Sequence, residues 1–150
     1  MATVTASLRS GTRATITARQ FVWVGDEPPG AGGTDEGPNP YEILLGALAA
    51  CIAITLRVYA DYKGISLEGV DVALQYDRVH ADDCVECLEP KSGMLEVIRS
   101  QVKIHGSFND AQRKRLAQVA ERCPVHKTLT NGVQILDTVT FEDNGKEPTP

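Results

Sequence analysis

Apolar and polar positions change their spacing several times along this chain, and each change marks an element. Thr3 to Leu8 and Ala14 to Ala18 read as short strands around a Ser10–Gly11 turn, and Gln20 to Val24 as a third with Phe21 and Trp23 on one face. Gly25 to Pro40, GDEPPGAGGTDEGPNP, has no period and is crowded with glycine, proline and acid, so it is expected as a loop that could wall a site. From Asn39 to Gly64 the pattern predicts one long helix. Asn39 suits the N-cap, Pro40 the first helical position and Glu42 the capping box, while Lys63 lies in the last turn and Gly64 suits the left-handed stop.

Ile43 to Ile54 offers no polar face and is expected to be surrounded by protein. A membrane span needs about 20 such residues. This run is shorter and is followed by Arg57, Asp61 and Lys63, which makes it a core helix. After it, Val70, Val72, Leu74 and Tyr76 alternate with Asp71, Ala73, Gln75 and Asp77. Val97 to His105 pairs with that strand as an antiparallel ribbon closed by the loop from Val79 to Gly93. Asn109 and Gln112 cap a second helix striped by Leu116, Val119, Ala120 and Cys123; Pro124 stops it, and Val125 to Leu129 forms one more turn. Val133 to Phe141 is expected as a last strand and residues 142–150 as a flexible polar tail. Three strands, helix, two strands, helix and strand make one α+β domain over residues 1–141.

Length and composition fit a single globular domain. The net charge of −5, with no basic stripe, argues against nucleic acid as a partner. MATVTASLRSG has no apolar signal core, so the chain is expected to be cytoplasmic and without a membrane partner. In that compartment its four cysteines are expected as reactive, metal-bound or inert thiols rather than as structural disulfides.

Cys51 lies inside the apolar helix, where it reads as a small hydrophobe when taken alone. Cys123 stands at the break before Pro124, where the free amides of a new turn can hold a thiolate. Each ends an apolar stripe. If the two meet in the core they form a redox pair, one sulfur attacking an electrophile and the other resolving the sulfenic acid as a disulfide.

Three pieces of sequence add a resemblance. DEP at Asp26–Pro28, GGTDEGPNPYEILLGALAAC ending at Cys51, and CPVHKTL from Cys123 after a capped helix resemble the OsmC/Ohr family of osmotically inducible and organic hydroperoxide resistance proteins. The likeness runs from about the first strand to Phe141. It implies an intertwined homodimer with a site at each subunit interface. It also implies thiol-dependent reduction of organic hydroperoxides in stress defence, with Cys51 peroxidatic, Cys123 resolving and a dithiol, often lipoyl-linked, as reductant. No cofactor is required by that chemistry. In the hydroperoxide-resistance branch a glutamate directly after Asn-Pro pairs with an arginine that activates the thiolate. Here that position is Tyr41; Glu42 is its neighbour, about 100° round the helix. Arg9, Arg13 and Arg19 lie in the region expected for the arginine, and His126 is a candidate lining residue beside Cys123.

Two other readings stand beside the peroxidase. A redox-sensing or binding dimer could keep the fold without the activating pair, which Tyr41 motivates. A metal protein could use the Cys84-x-x-Cys87 knuckle as two zinc ligands, with His80 or His105 as a third. Against zinc, the chain has no second close-spaced pair, and Asp82 and Asp83 disfavour a thiolate at Cys84.

Overall fold

The fold turns on a helix whose ends are fixed locally and whose middle is fixed by packing. In the computed structural model, which describes residues 1–81 and 93–141, helix α1 spans Pro40–Lys63. Asn39 Oδ1 accepts from the Glu42 N–H at 2.9 Å and the Glu42 carboxylate accepts from the Asn39 N–H at 2.8 Å. Gly64 closes the helix in the left-handed region at φ 62°, donating to the carbonyls of Ala60 and Asp61. Leu48, Ile52, Leu56 and Ala60 recur every four residues and form its buried stripe.

That stripe packs on an antiparallel ribbon, β4 (Leu67–His80) with β5 (Met94–Gly106), paired from Leu67↔Gly106 to His80↔Met94. β4 runs three residues past its expected alternation at each end, and β5 three residues before and one after. A shared ladder carries pairing beyond the positions that one apolar face requires. Val70, Val72, Leu74, Ile98, Val102 and Ile104 turn inward onto the core of Leu48, Ile52, Leu56, Leu116 and Cys123. Helix α2 (Asp110–Ala120) brings Leu116, 1% exposed, into that core and starts from a second capping box, Asn109 with Gln112. Helix α3 (Pro124–Asn131) is longer than the single turn expected, and Cys123 is its N-cap.

Ahead of α1, β1 (Thr5–Ser7), β2 (Ala14–Ala18) and β3 (Phe21–Gly25) make an antiparallel sheet in the order β1-β2-β3. The loop between β3 and α1 is folded around one buried carboxylate. Asp26, 2% exposed, accepts from the Thr12 and Thr34 hydroxyls at 2.6 and 2.7 Å and from the amides of Glu27, Thr34 and Glu36. The Thr12 hydroxyl, first among these donors, and the rest together hold the Asp26 carboxyl far below its ordinary range. Gly33 is required there because a Cβ would stand 1.7 Å from the Glu27 carbonyl.

Two expectations need correction. Val133 to Phe141 forms no strand: it has the alternation of one but no ladder partner among the described residues, and a strand exists only as part of a ladder. Its Val133, Ile135, Leu136, Val139 and Phe141 side chains are all exposed. Nor is the apolar half of α1 fully enclosed by its own chain. Gly46, Ala50, Ile54 and Val58 share an exposed face, since ribbon and α2 together cover only the opposite stripe. By length and composition alone α1 could cross a membrane.

Candidate functional site

The two thiols meet. Both sulfurs lie at the first turn of α3, where Pro124 occupies the first helical position and leaves the next amides without helical acceptors. The Val125 N–H donates to Cys51 Sγ at 3.5 Å and the His126 N–H to Cys123 Sγ at 3.4 Å. Cys51 lies near enough to Cys123 to push its thiol up, and the two cysteines are unbridged. Their settings differ. Cys51 is half-buried, whereas Cys123 is fully sealed at 0% exposure. Burial is the largest influence on Cys123 and pushes its thiol up, with the neighbouring Cys51 adding to the rise and the His126 N–H opposing it. One sulfur can be approached from outside, and the other stands behind it as a protonated thiol.

The other named residues go to different places. Glu42 is spent on the cap of α1, nine positions before Cys51, or about 13 Å along the helix. Arg13 pairs with Glu36 at 2.6 Å and belongs to the Asp26 loop. Arg19 sits at the β2–β3 turn at φ 53° with its guanidinium over the Phe21 ring. Tyr41 stacks on Tyr76 with centroids 4.4 Å apart. Its hydroxyl is the main cause raising the Tyr76 phenol to about 12, and Glu96 contributes as a second partner.

His126 lines a cavity of about 580 Å³ between α1, β5, α2 and α3, which the Gly25–Pro40 loop does not wall. Leu48 and Ile52, the helical neighbours of Cys51, form part of the same wall.

Of the metal candidates, Cys84 and Cys87 lie outside the described residues. His80 ends β4 at the root of their loop. His105 is placed elsewhere: it pairs with Gly69 at the far end of the ribbon, roughly 35 Å from His80 at about 3.3 Å per residue, and is bonded to Asp71 at 2.7 Å. Strand pairing thus sets His105 and His80 at opposite ends of the ribbon. No group of three metal-type ligands occurs among the described residues.

Sequence reasoning did not find the Val125 amide as the donor to Cys51. The signal was the Cys-Pro pair, which frees amides at a helix start, but nothing local says which sulfur receives them.

Comparison with known proteins agrees with this architecture. A family model described as OsmC-like protein matches residues 33–136. No curated protein matches the chain. Among solved structures, an OsmC-like protein from Mycoplasma pneumoniae is similar at a TM-score of 0.67 and 25% identity, covering 87% of each chain. An organic hydroperoxide resistance protein OsmC from Legionella pneumophila is similar at 0.61 and 20% identity, over 86% of this chain and 88% of that one. The organic hydroperoxide resistance protein OhrB of Bacillus subtilis is similar at 0.55 and 23% identity, over 85% and 89%.

Proposed function

The chain belongs to the OsmC-like protein family, and on that footing we propose that it reduces organic hydroperoxides with the Cys51–Cys123 pair. The observation that carries this reading is the pair itself: a reachable sulfur and a sealed one, brought together at the start of α3, each accepting from one of its free amides. Cys51, as thiolate, attacks the distal peroxide oxygen; the O–O bond breaks, and the alkoxide takes a proton to leave as an alcohol. The Val125 N–H stays on the sulfur while it becomes a sulfenic acid. Cys123 then attacks that sulfur, hydroxide leaves with a proton as water, and a disulfide closes. A dithiol, for which a lipoyl group is the reductant class, restores the two thiols by exchange.

We extend the proposal to a cytoplasmic homodimer. Supporting it are the exposed apolar face of α1 and the unpaired Val133–Phe141 segment, two surfaces that one chain leaves uncovered and a second copy can cover. A redox-sensing dimer without turnover is the second reading. It is favoured by Arg13, a candidate activating cation, being held by Glu36.

One experiment separates the two readings. The protein is given tert-butyl hydroperoxide with dihydrolipoamide, and peroxide consumption is followed. Turnover that is lost in Cys51→Ser, with a dimedone-trapped sulfenic acid in Cys123→Ser, supports the peroxidase. A single oxidation without turnover supports the sensor, and full consumption by Cys51→Ser defeats both.

A further inference from the structure

Tyr41 and Tyr76 form a second pair of oxidisable side chains, apart from the thiols. Their ring centroids are 4.4 Å apart and the rings are 22° from parallel. The Tyr41 hydroxyl acts directly on the Tyr76 phenol, which puts both oxygens at the same end of the stack. Rigid elements hold both rings. Tyr41 lies in the capped first turn of α1, and Tyr76 stands in the β4–β5 ladder opposite Ile98. Glu96 is a diagonal neighbour of Tyr76 on the same face of the ribbon and acts on the same phenol. Tyr41 is 49% exposed, and at about 100° per residue it lies half a turn round α1 from Ala50 on the open face. A second chain seated on that face leaves the ring within reach of solvent.

We propose that Tyr41 and Tyr76 are a site of oxidative cross-linking, at which organic peroxyl radicals join the two rings by a carbon–carbon bond between positions ortho to their hydroxyls. Each phenol gives up one electron and one proton. Each of two peroxyl radicals takes up one of each and leaves as a hydroperoxide. The two phenoxyl radicals pair their electrons in the new bond, and the hydrogens on the bonded ring carbons move to the oxygens, which restores both phenols. Free phenoxyl radicals must first meet, whereas here the partner ring is already in place and the coupling is a step within one molecule. Glu96 favours the oxidation in two ways. Its carboxylate can take the phenol proton, and its negative charge stabilises the positive charge that builds on the ring as the electron departs. The other two tyrosines are placed differently: Tyr59 accepts from Arg115 at 3.2 Å, and Tyr62 has the Lys63 ammonium over its ring. Among the described residues no other aromatic pair is stacked. The product ties the start of α1 to the ribbon, and the hydroperoxides released are of the class that the thiol pair is proposed above to reduce.

The test exposes the protein in air to the azo initiator AAPH, a source of alkyl peroxyl radicals, in excess over its thiols. Expected is dityrosine fluorescence on a species that migrates as a single chain in a denaturing gel. After digestion, mass spectrometry should find the peptides of Tyr41 and Tyr76 joined, with two hydrogen atoms lost. Tyr41→Phe and Tyr76→Phe keep a ring in the stack, and each should lower this product by about tenfold or more. Tyr62→Phe removes the most exposed tyrosine, at 80%, and should leave it unchanged. Absence of the product overturns the proposal, as does fluorescence confined to covalently joined chains or an intrachain product that survives Tyr41→Phe. No thiol enters the readout, so a protein that fails to consume peroxide would defeat the peroxidase reading and leave this result standing.

Discussion

The backbone N–H of Val125 reaches the sulfur of Cys51 across 74 positions of chain, at 3.5 Å. That contact joins the long core helix to the start of α3 and puts the more accessible of the two thiols beneath a donor with no other acceptor. It follows that the two cysteines should not react alike. Cys51 is half-exposed, while Cys123 is sealed and its thiol is pushed up by burial. Reduced protein treated with iodoacetamide near neutral pH should be alkylated at Cys51 about tenfold or more faster than at Cys123, read by peptide mass spectrometry. Equal rates would remove the division of labour between them.

Asp26 gives a pH prediction. Its carboxyl lies far below the ordinary 3.8, first through the Thr12 and Thr34 hydroxyls and then through backbone amides. A depressed folded value means the stabilisation is fully present above about 4 and drains away as the pH falls below it, because the unfolded chain takes up the proton first. Asp26→Asn should lower Tm by several degrees at neutral pH. It should also flatten the fall in stability below pH 4 seen by thermal melts in acid buffers. A variant with the wild-type acid limb would assign that limb to other carboxylates.

What the sequence disclosed and what it hid divide along the reach of the interactions. The ends of α1 could be read because Asn39, Glu42 and Gly64 act within one turn of themselves. The approach of Cys51 to Cys123 could be raised only as a condition, because Cys51 lies mid-helix beside the buried stripe of α1 and Cys123 at the end of the stripe of α2, and stripes converge on one core. Asp26 could not be distinguished from the other acids of its loop, since its chief partner, Thr12, is 14 positions away. Val133 to Phe141 has the period of a strand, but a period says which face would be buried and not whether a partner exists. The open face of α1 was read as enclosed for the same reason: apolar content demands cover without naming the chain that supplies it.

Tyr41 stands where the resemblance led to the expectation of a glutamate, and it can be tested by titration. Its hydrogen bond is the main reason Tyr76 is raised to about 12. A raised folded value gives stability that is complete below about 10 and is lost as the pH climbs toward 12, since the unfolded phenol ionises first. Tyr41→Phe keeps the stacked rings and removes the hydroxyl. Absorbance at the phenolate band should then show one tyrosine titrating closer to 10, with the alkaline limb of stability shifted the same way. An unmoved titration curve would place the cause of the rise at Glu96 instead.

The exposed face of α1 supplies the last test. Ile54 and Val58 are each 62% exposed, and Gly46 has nothing within 4 Å of where a side chain would begin, so a partner helix can come close there. In a two-fold dimer each residue of that face is used twice. A lysine at Ile54 therefore removes two apolar contacts, each worth about 1.5–3 kcal/mol, and sets two like charges near each other. Within one chain the same substitution disturbs no buried contact, so the fold should survive it. Sedimentation velocity should show the wild type at twice the mass of one chain and Ile54→Lys at one, with the same helical circular dichroism. Lysine at the buried neighbour Ile52, 2% exposed, should instead cost the fold itself. A wild-type protein that sediments as a single chain, or an Ile54→Lys protein that stays paired, would place the cover of this face elsewhere.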